Sequence, residues 1–257
     1  MLYIPCIVVM FQKKFISQPC YKLMLYLACV NVIAMFVMGI VGSLLIIIGL
    51  TFCTSPIFTY VICCFGTCLW FAETTITILL AFNRCLTVRN PILAKKLFQG
   101  FGRHTIDLWL CLPTSTAIWG FFCYQDNIHV AYNWVIAIIL VAIYAIFFVN
   151  MLINNRVAPM SENTNAIVCK MELRVFVQVF IICLLCVLSS IGYAYNERLL
   201  QANPKMVVFV TFGYAIFQGS PAVIYLLLNQ TIRHELRKKI KSHQPIARSS
   251  TRRSSAQ

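Results

Sequence analysis

The stretch 56-PIFTYVICCFGTCLWFAETTITILLAFNRCLTV-88 carries the clearest signature of the fold. From Pro56 to Leu80 its only charged side chain is Glu73. At 1.5 Å per residue, a helix over those positions crosses a hydrocarbon core of roughly 30 Å with length to spare. The helix is expected to continue to about Thr87, which sets Arg84 at the aqueous mouth. Counting 100° per residue back from Arg84, the residues Thr77, Glu73, Trp70, Gly66, Ile62 and Thr59 all fall within about 40° of one direction. Glu73 lies about 16 Å deeper than Arg84 along the axis, and an acidic group facing lipid at that depth costs about 2.5–3.5 kcal/mol or more. The stripe therefore faces protein. Its outer half, Thr59, Ile62, Gly66 and Trp70, is expected to line a ligand pocket together with Glu73. Glu73 reads either as an ion or proton site or as a carboxyl that simply hydrogen-bonds a neighbouring helix.

Working outward, the same apolar texture fills the chain. Of 257 residues 60% are hydrophobic and 11% charged, and the mean hydropathy is +0.82. A soluble domain carries roughly 25% charged residues to cover its core with wet surface, so lipid must solvate most of this chain. Blocks of spanning length cover approximately 23–48, 56–80, 106–122, 134–153, 175–195 and 206–228. The run Leu2–Phe11 reaches only about 15 Å and cannot cross alone. Residues 1–11 read as the inner half of a span, whose native start is expected upstream. Six full spans plus this partial one describe an all-α bundle over 1–233, with no internal repeat and no linker dividing it.

Charge gives the orientation. The formal net charge is +14, but its carriers sit between apolar blocks and in the tail, with no folded basic domain around them, which excludes nucleic acid as partner. Lys13, Lys14 and Lys22, then Arg84, Arg89, Lys95, Lys96 and Arg103, then Arg156, Lys170 and Arg174, and eight more from Arg233 to Arg253 all fall on one side; only Arg198 and Lys205 fall on the other. Positive excess marks the cytoplasmic face, so the tail is expected inside. Of the 13 cysteines, Cys53 and Cys123 alone fall on the outer side. An oxidising exterior permits a bridge between them; two unpaired thiols are the alternative.

Past Asn229, Ile232, Leu236 and Ile240 repeat every four residues among Arg and Lys. That pattern suits a helix lying on the inner leaflet over 231–241. Residues 242–257 read as a disordered basic tail. Phosphorylation of Ser249, Ser250, Thr251, Ser254 or Ser255 would release it from anionic lipid; an unregulated solvated tail is the alternative. No cofactor or metal motif is visible. Gln99-Gly100-Phe101-Gly102 has no strand before it to make a phosphate cradle, and Asp107 reads as a carboxylate at the positive end of a helix dipole.

Several strings resemble the nematode serpentine receptor class T: Leu-Tyr-Ile-Pro-Cys at 2–6, Pro-Cys-Tyr-Lys at 19–22, Cys-Thr-Ser-Pro at 53–56, Leu-Ala-Phe-Asn-Arg-Cys at 80–85 and Pro-Ala-Val-Ile-Tyr-Leu-Leu-Leu-Asn-Gln-Thr-Ile-Arg at 221–233. They occur in order from about residue 2 to 235. The resemblance implies a rhodopsin-like seven-helix chemoreceptor, here with an incomplete first helix, at the surface of sensory neurons. It further implies a small-molecule ligand of unknown identity and coupling to a heterotrimeric G protein. The chain departs from the family in its shorter N-terminal segment and in a short second outer loop, Cys123 to Asn133.

Asn83-Arg84-Cys85 stands where rhodopsin-like receptors carry Asp-Arg-Tyr, and the resemblance transfers only the Arg. Its fork of donors suits carbonyls at the end of an inserting G-protein helix; a snorkelling topology anchor is the other reading. With no acid at position 83, Glu172 at the inner end of the sixth span is the expected restraint on Arg84. Pro221 and Tyr225 resemble the receptor Pro-x-x-Tyr motif with one extra residue between them, a kink followed by a tyrosine that can swing into the cytoplasmic cavity. The sixth span holds neither Pro nor Trp, so the aromatic switch of rhodopsin-like receptors does not transfer.

Rival classes fare worse. A proton-coupled transporter predicts repeated halves with broken helices, and none is visible. An intramembrane enzyme needs paired carboxylates, a metal cluster or a nucleophile–base pair, and one carboxylate with no His lies at mid-depth. A non-functional receptor fragment is the remaining alternative. The orientation is directly checkable: a reporter fused after Gln257 should be cytoplasmic, and tags near Asn127 and Asn203 should be labelled from outside intact cells. External labelling of the tail would overturn it.

Overall fold

Prolines open three of the helices, as expected of a residue whose missing N–H costs nothing in a first turn. The computed structural model describes residues 2–48, 54–99, 126–155, 163–200 and 205–243. Helix α1 is Tyr3–Met10, α2 is Lys13–Ile16 and α3 is Pro19–Ala34. A wide π-helical segment, Met35–Val41, joins α3 to α4, Gly42–Ile48. Then follow α5, Pro56–Arg89, and α6, Pro91–Gln99. Helix α7 is Asp126–Asn155, α8 is Asn163–Leu200, α9 is Lys205–Leu228 and α10 is Gln230–His243. No strand occurs among the described residues. The block 106–122, Cys53, Cys123 and the serines and threonine of the tail lie outside the described residues.

Among those residues four helical stretches are long and apolar enough to cross a membrane: Pro19–Leu45, Pro56–Thr87, Val130–Val149 and Arg174–Gly192; Phe212–Leu228 is a shorter apolar one. Their outward faces carry Ile40, Ile57, Ile138, Ile146, Phe148, Phe212 and Leu227, all well exposed. Such a belt is tolerable only in lipid. An all-α membrane bundle is thus evident in both pattern and packing.

Helix α5 is the axis. Its 34 residues extend about 50 Å at 1.5 Å per residue, well beyond the hydrocarbon core. It packs against α3, α7 and α8, while α7 packs on α8, α8 on α9, and α9 back on α3 and α1, closing a ring. At its inner end Asn90 stops α5 and caps α6, its Oδ1 accepting from Leu93 N at 3.1 Å. Ala94 and Phe98, four residues apart, bury against the bundle, while Lys95 and Lys96 stay exposed. The cap at Asn229 is the same device: its Oδ1 accepts from Ile232 N at 3.1 Å, and Ile232 is fully buried.

Helices outrun apolar blocks. Residues 123–133, read as an outer loop, are helical from Asp126, and α8 begins at Asn163 and ends at Leu200, well outside 175–195. Hydropathy measures the lipid-solvated length, whereas the backbone ladder continues through polar turns in water. The wide segment Met35–Val41 has no sequence signal; it interrupts what hydropathy presents as one span, 23–48.

Pro221 lies inside α9, where its ring removes one helical donor and frees the carbonyl four residues back. That carbonyl, Phe217 O, accepts from Ser220 Oγ at 2.8 Å. Across the bundle, a Cβ at Gly66 would meet Met38 Sδ at 2.7 Å, so the absent side chain lets the wide segment pack on α5. Gly66→Leu should therefore lower stability by about 1–3 kcal/mol through overpacking. Gly66→Ala should be nearly silent, since the sulfur is the far end of a flexible side chain. Thermal melts of the purified protein in detergent compare the two; equal melting for Leu and wild type would refute the close approach.

Candidate functional site

A polar cluster sits where a membrane bundle can least accommodate one unpaired. Glu73 is 1% exposed, and it meets donors from two other helices. Gln218 of α9 donates from Nε2 to Glu73 Oε2 at 2.5 Å and to the Tyr214 hydroxyl at 2.8 Å. With the Asn31 amide turned so that its nitrogen faces acceptors, Nδ2 donates to Glu73 Oε1 at 2.9 Å and to Gln218 Oε1 at 3.1 Å. Asn31 Oδ1 then faces the Tyr3 hydroxyl at 3.0 Å. The backbone carbonyl of Gln218 is the second acceptor on that hydroxyl, and the two share its one proton. Helices α1, α3, α5 and α9 thus converge on one carboxyl. Because the alternative is an unsatisfied polar group in hydrocarbon, each contact fixes a helix position.

One turn outward, Trp70 is 4% exposed. Its Nε1 donates to Asn133 Oδ1 of α7 at 3.0 Å. Its ring meets Phe217 edge-on with centroids 5.8 Å apart, and Tyr214 at 6.3 Å. Thr74 and the Tyr132 hydroxyl are 2.7 Å apart, and Tyr132 packs edge-on against Phe71 at 4.1 Å. The outer half of α5 is therefore joined to α7 and α9 through aromatic rings with polar handles. Farther out, Thr59 and Ile62 are half-buried, and the enclosed Thr59 Oγ1 has no hydrogen-bond partner among the described residues. Gly66 is buried, with Met38 laid over it.

At the inner end Arg84 is 6% exposed, and its Nε donates to Cys20 Sγ at 2.7 Å. Cys20 Sγ lies 3.8 Å from Met24 Sδ, and Gln178 Nε2 of α8 reaches the same sulfur at 3.8 Å. The chain Arg84–Cys20–Met24–Gln178 joins α5 through α3 to α8. Tyr225 is fully buried, and its hydroxyl has no partner among the described residues. Glu172 lies on α8, but its side chain falls outside the described residues, as does any pairing with Arg84.

A scan against family models matches residues 1–125 and 104–249 to the serpentine type 7TM GPCR chemoreceptor Srt. The chain belongs to the Srt family. Searches of curated proteins and of solved structures return no match. As an Srt member it is an integral membrane protein of a chemoreceptor family, whose members are receptors and not enzymes.

The Srt chain gathers Trp70, Glu73, Thr77 and Arg84 on one buried face of α5, with Thr59 and Ile62 at its half-buried outer end. Tyr3, Asn31, Asn133, Tyr214 and Gln218, which complete the cluster, escaped the helical-phase count because it treated α5 alone. For all but Asn133, which falls just outside the block 134–153, the signal was present: amides and phenols inside apolar spans are expensive and face the bundle. An open apolar cleft of about 560 Å³ lies elsewhere, between α7 and α8, walled by Tyr144, Phe147, Phe176 and Phe180. Phe148 and Leu184 on its rim are exposed, so it opens on the lipid-facing flank, away from the α5 stripe.

Among the cluster residues, Gln218→Leu strands Glu73 Oε2 and should cost about 1–3 kcal/mol. The double variant Glu73→Leu/Gln218→Leu removes both partners and should lose less than the sum of the singles, with a coupling of about 0.5–3 kcal/mol. Denaturation in detergent reads both; strict additivity would show that the two side chains do not interact.

Proposed function

We propose that the chain is a G-protein-coupled chemosensory receptor that takes a small-molecule ligand against the outer half of α5 and signals through Arg84 at the cytoplasmic end. The observation that carries this reading is the position of Trp70. It is held by Asn133 on one side and by Phe217 and Tyr214 on the other, one turn above the Glu73–Gln218 contact. A ligand that displaces the Trp70 ring necessarily alters α7 and α9 relative to α5. The Thr59 hydroxyl, without a partner among the described residues, supplies a hydrogen-bonding group for the ligand, and the aromatic rings supply apolar surface.

Downstream, movement of Gln218 acts on the helix turn that Pro221 has already loosened, and Tyr225 follows one turn later. Arg84 contacts the G protein through carbonyls at the end of its inserting helix. Glu172 restrains Arg84 in the resting state as a charge-assisted pair, and ligand binding separates α5 from α8. The bilayer is the plasma membrane of a sensory neuron, at the cilium, with the tail in the cytoplasm. The receptor acts without cofactor or metal and has no enzymatic activity. Cys53 and Cys123 form an outer disulfide, and phosphorylation within 249–255 releases the tail from lipid.

Three substitutions test the pathway in cells scored for surface expression and G-protein activation. Arg84→Ala should abolish signalling at unchanged surface level. Glu172→Gln should raise ligand-free signalling, a shift of about 1–3 kcal/mol in the resting equilibrium. Trp70→Ala should remove the ligand response while leaving basal activity. Full signalling by Arg84→Ala eliminates that residue from coupling, and unchanged basal activity in Glu172→Gln eliminates the restraint.

A further inference from the structure

The cleft between Lys14 and the first two turns of α10 has a chemistry the receptor reading leaves unused. It encloses about 540 Å³ and is lined by Lys14 from α2 and by Thr231, Arg233, His234, Glu235 and Arg237 from α10. These elements are more than two hundred residues apart in sequence and meet because α1 packs on α10. Glu235 is the one acid of the lining, and Lys14 Nζ holds it at 3.8 Å. Arg233 and Arg237 are left with no side-chain partner among the described residues. Four residues apart on a helix, they project from the same face.

The wall that carries them is firmly seated. Ile232, just before them, is fully buried, Leu236 between them packs against the core, and Asn229 caps the turn beneath. Helix α10 follows α9 after a single residue, so the cleft lies at the end of a membrane helix, at the level of lipid headgroups rather than in open solvent. Three cations against one acid leave a local charge near two. A phosphodiester headgroup offers about one negative charge; a phosphomonoester offers about 1.5 to 2 and three acceptor oxygens. Two guanidinium forks on one face match that oxygen set better than a point charge does.

We propose that this cleft binds the phosphomonoester headgroup of an inner-leaflet lipid. The proposal rests on the cytoplasmic placement of α10 in the function proposed above. The chemistry is shared with soluble inositol phosphates, and the test separates the two sources. The full chain in a neutral detergent is titrated with short-chain phosphatidylinositol 4-phosphate, with short-chain phosphatidylinositol lacking the monoester, and with free inositol 1,4-bisphosphate, binding being read by native mass spectrometry. The expected result is saturable one-to-one binding of the monoester lipid, with about tenfold weaker binding of phosphatidylinositol, which lacks the charge-assisted contacts, and of the free bisphosphate, which lacks acyl chains to anchor it beside the cleft in the micelle. Arg233→Gln/Arg237→Gln should weaken the monoester lipid about tenfold, while Lys238→Gln/Lys239→Gln, which removes equal charge from the same helix outside the cleft lining, should leave it nearly unchanged. Lys14→Gln, on an exposed side chain of a separate element, should weaken it about threefold or more and does not depend on the folding of α10.

Equal losses in the two double variants would reduce the cleft to diffuse basic charge. Equal binding of phosphatidylinositol, or of the free bisphosphate, would each overturn the assignment. Because no signalling is read, failure here leaves the receptor function standing, and a receptor that binds the lipid without signalling leaves the cleft standing.

Discussion

A carboxyl group at mid-depth in a lipid-solvated bundle must be met by donors, and this chain has to bring those donors from other helices. Glu73 takes them from Asn31 of α3 and Gln218 of α9, and Gln218 in turn engages Tyr214 and, through its backbone carbonyl, Tyr3 of α1. Apolar packing alone discriminates poorly among helix rotations when lipid is as good a neighbour as leucine. A buried hydrogen-bond set tolerates few of them. The eight residues of α1 are too few to span, yet they are held by the Tyr3 hydroxyl and by Cys6, whose sulfur approaches the Ala222 carbonyl at 4.0 Å.

The layers along α5 differ in kind. Outward of Glu73 the contacts are aromatic rings tied by single polar handles, which can slide and re-stack. At Glu73 they are short and directional. Inward, around Arg84, they are a guanidinium and two sulfurs, polarizable and weakly directional, with Tyr225 and Gln178 Oε1 left unpaired among the described residues. Among the described contacts, ease of rearrangement is therefore greatest at the two ends and least at the centre.

Much of this was legible in the sequence, for identifiable reasons. The all-α bundle followed from block lengths, and the Srt family from ordered strings such as 80–85 and 221–233. The buried stripe from Trp70 to Arg84 followed from arithmetic on one helix. Contacts between helices were not legible, because hydropathy fixes that a residue faces inward and leaves its neighbour open. Hence Asn133 under Trp70 and Asn31 under Glu73 came only with the structure, as did Cys20 at Arg84 Nε. The full helix lengths were not legible where polar residues continue a ladder into water, as at Asp126 and Asn163.

The wide segment Met35–Val41 has a geometric consequence. An i→i+5 ladder takes in one residue more per turn than an i→i+4 ladder, so the helix beyond it is turned by about 100° relative to an uninterrupted one. Asn31, on the inner side, keeps its aim at Glu73 whatever follows, while α4 presents a face that its own sequence phase does not dictate. The outer third of that span is thus uncoupled in register from the inner two-thirds. A change of side chain there, or the gain or loss of one position, need not drag the central hydrogen bonds with it.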